Sequence, residues 1–310
     1  MFVGRIRSLH RYPVKSMCGE DLDASELVDG GLLGDRMFAL RDEVADEIRG
    51  GKKWPRLMLC TARYREALSR EALPSVSIAF PDGSTTGSDD PDVSKRLSEW
   101  LDRRVKLCER APASDKRHYR RALPGASVAG FLARADAMRG VVARLATIGP
   151  AGKDLRRDFG REPGEPLPDL SVFPAEIFEY VSPLGTYFDA FPIHFVTTAT
   201  LEALRERYPE GEWDARRFRP NFVIESTPGL DGLIESEWGG RTLRVGGVRF
   251  ECTVPTPRCS MVAQAQPDLQ KDPKILRTIV RDADQNVGMY ARALGDGRIA
   301  VGDSVEIDVA

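Results

Sequence analysis

The chain has 310 residues, and at about 150 residues per domain this length predicts about two domains. Hydrophobic residues make up 42 % of the chain and charged residues 30 %, which is typical of a globular protein that buries a large core. Lys and Arg (45) nearly balance Asp and Glu (47), so the net charge is −2 and predicts no general affinity for nucleic acid or anionic membranes.

The five cysteines are widely separated and form no C-x-x-C pair, and there are only three histidines. This pattern argues against a disulfide framework and a structural zinc site, and it predicts a protein of the reducing cytoplasm. No apolar run approaches the roughly 18 residues of a transmembrane helix. Charges interrupt the apolar residues at the start of the chain, so we expect no secretory signal there.

In the N-terminal part, loose alternation of apolar and charged residues predicts a strand over residues 2–12, and a second strand is predicted from Met37 to Leu40. Residues 81–92 are almost all turn formers and predict an exposed loop. A short helix is predicted after this loop, because apolar residues recur there at helical spacing: Val93, Leu97, Trp100 and Leu101. We expect this unit to end near residues 110–120.

In the C-terminal part, residues 149–172 mix glycine, proline and charge, and they predict a linker or surface insertion without regular structure. Beyond them the sequence predicts a helix capped at Thr197 or Thr198 and a strand over Asn221–Glu225. A hairpin is predicted to turn at Gly246-Gly247, and a second helix is predicted to start at Asp272-Pro273. The end of the chain predicts two strand arms within Ile299–Ile307. Strands dominate without regular alternation with helices, so the fold class is predicted as β-rich α+β.

The familiar motifs of hydrolases, zinc proteases and nucleotide-binding proteins are missing from the sequence. Lys15 and Ser16 follow the first predicted strand and can meet an anion, or they form a strand-ending turn with a solvated lysine. Arg36 enters the next strand at a glycine turn and can bind phosphate or pair with Asp35.

Arg217, Arg219 and Asn221 belong to a dense group of donors before a predicted strand, which suits either an anionic ligand or a solvated basic loop. The basic run over residues 116–121 predicts a solvated surface, with anion or partner docking as the alternative. Cys259 lies in a proline-stiffened segment next to Arg258, and a neighbouring arginine favours the metal-binding thiolate, although free cysteines are more often small buried side chains. The other cysteines are predicted as core (Cys60, Cys108 and Cys252) or left open (Cys18).

Taken in order, these segments resemble the MOSC family, which binds the molybdenum cofactor. YPVKS (12–16) followed by GDR (34–36) is similar to the β-barrel domain that precedes MOSC in the mitochondrial amidoxime-reducing component and its bacterial relatives. Four further segments resemble the MOSC domain itself: FVTTATLEAL (195–204), RRFRPN (216–221), PRCSM (257–261) and the closing G-x-I-x-V-G-D-x-V (297–305). The resemblance covers most of the chain outside residues 110–180.

The resemblance implies an N-terminal β-barrel-like domain packed with a C-terminal MOSC β-barrel that carries a few helices. The implied boundaries are 1–120 for the N-terminal domain, 121–180 for an insertion or linker with the start of the MOSC region, and 181–310 for MOSC. It also implies that Cys259 is the molybdenum ligand and catalytic residue. The implied cofactor-binding residues are Lys15, Ser16, Arg36, Thr198, Thr200, Arg217, Arg219, Asn221 and Arg258.

By resemblance the chain is a molybdenum-cofactor oxidoreductase that reduces N-hydroxylated or N-oxide-like small molecules by two electrons. The electrons would come from a separate donor, a ferredoxin-, flavodoxin- or cytochrome b5-like protein with its reductase. After Cys259 the sequence SMVAQAQPDLQKD departs from the T-T-V-D-P motif of the amidoxime reducers, so the identity of the substrate stays open. Two alternatives remain: a sulfur carrier that uses a persulfide on Cys259, and a cofactor-binding protein without turnover.

Overall fold

The structure, a computed structural model, describes residues 1–122, 129 and 135–308. The strands are β1 (Phe2–Arg11), β2 (Glu20–Leu22), β3 (Ala24–Val28), β4 (Gly31–Leu32), β5 (Phe38–Asp42), β6 (Glu47–Arg49), β7 (Thr61–Tyr64), β8 (Val76–Ala79), β9 (Thr85–Gly87), β10 (Val105–Glu109), β11 (Ile193–Thr197), β12 (Phe222–Ser226), β13 (Thr242–Val245), β14 (Val248–Pro257), β15 (Asn286–Ala293), β16 (Gly297–Ala300) and β17 (Ser304–Ile307). The α-helices are α1 (Val93–Leu101), α2 (Lys116–Tyr119), α3 (Asp136–Leu145), α4 (Gly149–Phe159), α5 (Thr198–Arg207) and α6 (Pro273–Asp282).

A closed β-barrel forms the centre of the C-terminal half. Its strands follow the order β12-β11-β15-β14-β13-β17-β1, and β1 pairs with β12 to close the ring. Most pairs are antiparallel, whereas β11 and β12 run parallel. The first strand of the chain is therefore part of a barrel whose other strands all come from residues 193–307.

The barrel interior holds a continuous apolar core. Three buried apolar side chains of β1 point inward, Val3, Ile6 and Leu9, and their spacing of three residues reflects two register shifts in its pairing. They meet phenylalanines from three other strands: Phe195, Phe222 and Phe250. The rings of Phe195 and Phe222 lie 5.0 Å apart between centroids, and Phe250 approaches Phe195 edge-on at 5.3 Å. This packing supplies the apolar burial that holds β1 in the ring.

The remaining N-terminal strands form small sheets beside the barrel. Strands β10, β5 and β6 make one sheet and β7, β8 and β9 make another, and α1 packs with them over a second apolar cluster around Trp54, Leu57 and Leu97. Strand β16 returns from the C-terminal part to pair with β3. Together these sheets, the barrel and the helices confirm the predicted β-rich α+β fold class.

Most predicted elements are confirmed at nearly the expected residues, including β1, α1, α5, α6 and the β13–β14 hairpin. Asp272 accepts a hydrogen bond from the backbone N–H of Lys274 and caps α6, and Thr197 caps α5 by accepting from Thr200. The two arms predicted within Ile299–Ile307 exist but join different sheets, because β16 pairs with β3 and β17 with β1 and β13.

The prediction that residues 149–172 lack regular structure is wrong, because α4 occupies their first half. Pro150 stands in the first turn, where its missing N–H costs nothing, and Gly160 ends the helix in the left-handed conformation. Phe159 and Leu155 pack into a further apolar cluster with the 3₁₀ turns Leu170–Val172 and Ala175–Phe178. This burial stabilises a helix that composition alone does not indicate.

Within the described residues, every helix is too short or too polar to span a lipid bilayer.

Candidate functional site

Cys259 lies just beyond β14, where it precedes a short 3₁₀ turn, Ser260–Ala263. Its side chain is half-buried and packs against the apolar cluster that contains Phe159. The hydroxyl of Ser260 donates to the backbone carbonyl of Asp158 at 3.0 Å, which ties the turn to α4. The fold thus fixes the backbone around the thiol and leaves its side chain partly accessible.

Two buried arginines hold the backbone in front of Cys259. The Nε of Arg258 donates to the carbonyl of Val287 at 2.9 Å, and its Nη1 donates to that of Phe218 at 3.2 Å. Arg161 in turn donates to the carbonyl of Arg258 at 3.0 Å. Burial lowers the pKa of both guanidinium groups to about 10, so each remains charged at neutral pH.

Lys15 and Asp189 form an ion pair with one half inside the protein and one half facing outward. The Lys15 ammonium lies 2.7 Å from Asp189 Oδ1 and donates to the carbonyl of Tyr187 at 2.8 Å. The Lys15 side chain is 11 % exposed and that of Asp189 is 56 % exposed. Burial lowers the pKa of Lys15, and Asp189 opposes that effect. Burial also acts to raise the pKa of Asp189, but Lys15 and Lys52 outweigh it and the pKa is lowered.

Arg36 and Arg219 flank the ring of Tyr12. Their guanidinium carbons lie 5.0 and 4.3 Å from its centroid, within cation–π range. Arg36 pairs with buried Asp35. Arg219 donates to the carbonyl of Met17, yet its Nη2 is buried and makes no hydrogen bond within the described residues. A buried unpaired donor costs about 1–3 kcal/mol, so Arg219 is suited to an additional acceptor.

The loop of residues 50–53 approaches the same place, and our sequence reasoning missed it. A Cβ on Gly50 would lie 2.6 Å from the Ser16 hydroxyl, so only glycine allows this close approach. The Lys52 ammonium lies 4.8 Å from the centroid of the Phe159 ring and within electrostatic range of Lys15 and Asp189. Two glycines followed by two lysines form a signal that could have been recognised in the sequence.

These groups form what we call the cationic face, which consists of Lys15, Arg36, Lys52 and Arg219. Cys259 lies near this face, because Lys52 contacts Phe159 and Cys259 packs against the apolar cluster that contains Phe159. Asp189 and the Cys259 thiol are also both within electrostatic range of Arg258 and Tyr290. The structure thus brings together side chains from the segment after β1, the loops after β4 and β6, and the segments before β11 and β12. Asp189, Lys52, Arg161 and Tyr290 are the neighbours that sequence reasoning did not select.

Four other predicted binding residues, Arg217, Asn221, Thr198 and Thr200, form hydrogen bonds within the chain. Arg217 is fully buried and donates to the carbonyls of Glu212, Val262, Gln264 and Gln270, so it ties down the segment after Cys259. Asn221 donates to Asp35 at 3.1 Å and accepts from the backbone of His194 at 3.1 Å. The structure gives these two side chains positioning contacts around the cationic face.

Thr198 and Thr200 lie in the first turn of α5. The hydroxyl of Thr198 accepts from the backbone N–H of Ser226 at 3.0 Å, and that of Thr200 donates to buried Glu235 at 2.5 Å. Burial raises the pKa of Glu235, although the two threonine hydroxyls at residues 197 and 200 act against this shift. Thr198 also lines a surface cavity of about 590 Å³, which Cys259 and the cationic face do not line.

The other cysteines and the basic run of residues 116–121 show mixed outcomes. Cys60 and Cys252 are fully buried, as predicted, whereas Cys108 and Cys18 are only partly buried. In the basic run, Lys116, Arg117 and Arg120 are exposed as predicted, but Tyr119 is buried because it packs with Tyr187, and the side chain of Arg121 donates to a backbone carbonyl.

Comparison with protein families gives two matches along the chain. Residues 185–306 match the MOSC domain, and residues 3–101 match the MOSC N-terminal beta barrel domain. The chain contains a MOSC domain preceded by a MOSC N-terminal beta barrel domain. MOSC domains are associated with the molybdenum cofactor, and the two matches together cover well over half of this MOSC chain.

Several solved structures are similar to this MOSC chain. The YUAD protein from Bacillus subtilis is 12 % identical, with 99 % of this chain and 98 % of that chain covered and a TM-score of 0.40. YiiM from Geobacillus stearothermophilus is 21 % identical, with coverages of 38 % and 55 % and a TM-score of 0.30. YiiM from Escherichia coli is 14 % identical, with coverages of 39 % and 55 % and a TM-score of 0.29. The chain thus spans about half the length of either YiiM. No curated protein matches the chain.

Proposed function

We propose that this MOSC chain binds the molybdenum cofactor at the cationic face and reduces N-hydroxylated small molecules beside Cys259. The observation that carries this proposal is the juxtaposition of one partly accessible, rigidly held thiol with a group of cations that has spare hydrogen-bonding capacity. A thiolate suits a soft metal centre, and ammonium and guanidinium groups suit the phosphate of a pterin cofactor.

The residues present fit this cofactor on two counts. Arg219 keeps a buried donor that lacks an acceptor within the described residues, and an anionic oxygen would satisfy it. Gly50 keeps the backbone close to Ser16, where a side chain would fill the space next to Lys15. We therefore assign cofactor contacts to Lys15, Ser16, Arg36 and Arg219, with Cys259 as the protein ligand to molybdenum.

The other predicted donors support this arrangement indirectly. Arg258 and Arg161 fix the backbone at Cys259, and Arg217 fixes the segment that follows it. Asn221 orients Asp35, which pairs with Arg36. In this arrangement these side chains hold the thiol and the cationic face in fixed positions relative to each other.

The proposed reaction breaks the N–O bond of the substrate, consumes two electrons and two protons, and releases the amine or amidine with water. When bound, the cofactor supplies the two-electron chemistry that no side chain of the chain can perform. The electrons come from a separate redox protein of the ferredoxin, flavodoxin or cytochrome b5 class. Tyr290 packs against the same apolar cluster as Cys259, and Asp189 is close enough to Tyr290 to affect its pKa.

The test is to produce the protein in a host that makes the cofactor and to measure molybdenum, pterin and turnover of benzamidoxime with reduced viologen. We expect molybdenum and pterin in equimolar amounts with the chain, together with formation of benzamidine. Zinc or no metal would contradict cofactor binding. Loaded protein that is inert towards N-hydroxylated compounds would contradict the reductase activity, and a persulfide on Cys259 without molybdenum would favour a sulfur carrier.

A further inference from the structure

Residues 102–184 lie between the two family matches, and part of this segment reaches the thiol. From residue 135 onward it carries α3, α4 and two 3₁₀ turns, which pack into one apolar cluster. Cys259 and Tyr290 pack against the same cluster. A segment outside both family matches thus forms part of the surroundings of Cys259.

Several of the side chains in or against this cluster are aromatic. The centroids of Phe173 and Phe191 lie 6.5 Å apart, and those of Phe191 and Tyr290 lie 5.6 Å apart. Phe159 belongs to the same cluster. We call these four residues, Phe159, Phe173, Phe191 and Tyr290, the aromatic wall. Phe191 and Tyr290 are only half-buried, as is Cys259, so part of the wall is accessible next to the thiol.

The aromatic wall borders the cationic face directly. Lys52 places its ammonium 4.8 Å from the centroid of Phe159, and exposed Asp189 lies two residues before Phe191. The surroundings of Cys259 are therefore two-sided, with cations and a carboxylate on one side and aromatic rings on the other. A bound molecule with a polar end and a flat apolar body matches both sides.

We propose that the aromatic wall selects N-hydroxylated substrates whose body is a flat aromatic ring. The inference rests on the proposed function, because it assumes that the N–O bond is broken beside Cys259. A ring can pack on Phe191 and Tyr290 in the offset or edge-to-face geometry that aromatic pairs prefer, whereas an aliphatic body gains only area burial. Such pairing is worth about two- to ten-fold in affinity.

Binding to the cofactor-loaded protein without reductant tests the wall separately from turnover. We would measure the dissociation constants of benzamidoxime and acetamidoxime by calorimetry for the wild type, Phe191→Ala and Phe191→Leu. Val172→Ala is the matched control, because Val172 is the neighbour of Phe173 in the chain but is 48 % exposed and lies outside the cluster. Phe191→Leu keeps apolar volume and secures the test if the alanine variant fails to fold.

We expect wild type and Val172→Ala to prefer benzamidoxime, and both Phe191 variants to lose about two- to ten-fold of that preference with little change for acetamidoxime. Equal preference in all variants, or equal losses for both ligands, would overturn the inference. Adding reduced viologen separates the two proposals. Selective binding without turnover would support the role of the aromatic wall and contradict the proposed reductase activity. Turnover of both compounds, with the same preference in the wild type and the Phe191 variants, would support the reductase activity and contradict the role of the wall.

Discussion

At the residue scale, burial separates the five cysteines into different roles. Cys60 and Cys252 are fully buried, and burial raises the pKa of each thiol to about 12, so both behave as small apolar side chains. Cys259 is half-buried at the edge of an aromatic cluster, with two guanidinium groups fixing its backbone. The sequence marks Cys259 through its proline-stiffened neighbourhood. In the fold Cys18 is also half-buried and within electrostatic range of Arg219 and Arg216, so accessibility beside cations does not by itself distinguish the two thiols.

We expect Cys259→Ser to abolish turnover while the melting temperature stays close to that of the wild type. The hydroxyl keeps the size of the side chain but stays protonated and is a poor ligand for a soft metal. Cys252→Ser is the matched control, because it buries a hydroxyl and costs about 1–3 kcal/mol of stability while activity per folded molecule is kept. The measurements are thermal unfolding, molybdenum content and benzamidoxime reduction for both variants. Near-normal turnover in Cys259→Ser would contradict the assignment of Cys259 as the molybdenum ligand.

We expect Asp189→Asn to make cofactor retention sensitive to alkaline pH. Burial lowers the pKa of Lys15 and Asp189 holds it up, so removal of the carboxylate lowers that pKa further and Lys15 loses its charge earlier as the pH rises. Retention should match the wild type near about pH 7 and fall below it towards about pH 9. Asp158→Asn is the control, because it removes an equally close partner, 2.7 Å from Lys53. Identical pH profiles would contradict this role of Asp189.

At the element scale, local signals predict the elements that carry their own caps and turns. The β13–β14 hairpin and α6 follow from the glycine pair and from Asp272-Pro273, because these residues act within a few positions of themselves. Helix α4 cannot be predicted from its local sequence, because its stability comes from packing of Leu155 and Phe159 on residues distant in sequence. Asp189 was missed for the same reason, because nothing local distinguishes it from a solvated side chain, whereas Lys52 follows a glycine pair that could have been recognised.

The end of α4 gives a direct test of how this helix supports the thiol. Gly160 has a φ of +63°, and a Cβ there would lie 2.8 Å from the Leu276 side chain and 3.1 Å from Ser260 Cβ. We expect Gly160→Ala to lower both the melting temperature and turnover, because left-handed strain of about 1–2 kcal/mol adds to crowding against the residue after Cys259.

Gly164→Ala is the matched control for this change. Gly164 has a φ of +88° with no atom within 4 Å of the added Cβ, so its substitution brings strain without crowding. We expect it to lower the melting temperature less and to leave turnover unchanged. Equal effects of the two substitutions on turnover, measured beside thermal unfolding, would show that the contact between α4 and the Ser260 turn is unimportant for the site.

At the scale of the whole molecule, β1 connects the two family matches physically. It belongs to the N-terminal match but pairs with β12 and β17 of the C-terminal match, and its buried side chains Val3, Ile6 and Leu9 join the barrel core. The same strand leads directly to Tyr12 and then to Lys15 of the cationic face. Sequence reasoning recognises the strand but not its partners, because the pairing spans more than two hundred residues.

We therefore expect a fragment of residues 185–308, which contains the whole MOSC match, to lack a cooperative thermal transition by itself. Without β1 the barrel is open between β12 and β17, and an open edge leaves backbone groups unpaired and the core exposed. A peptide of residues 1–12 should restore the transition by strand addition. The matched control is the same peptide with Ile6→Asp, which keeps the backbone donors but places a charge at a position that is 1 % exposed in the intact protein. A sharp transition of the fragment without any peptide would contradict this dependence and would show that the barrel holds together without its first strand.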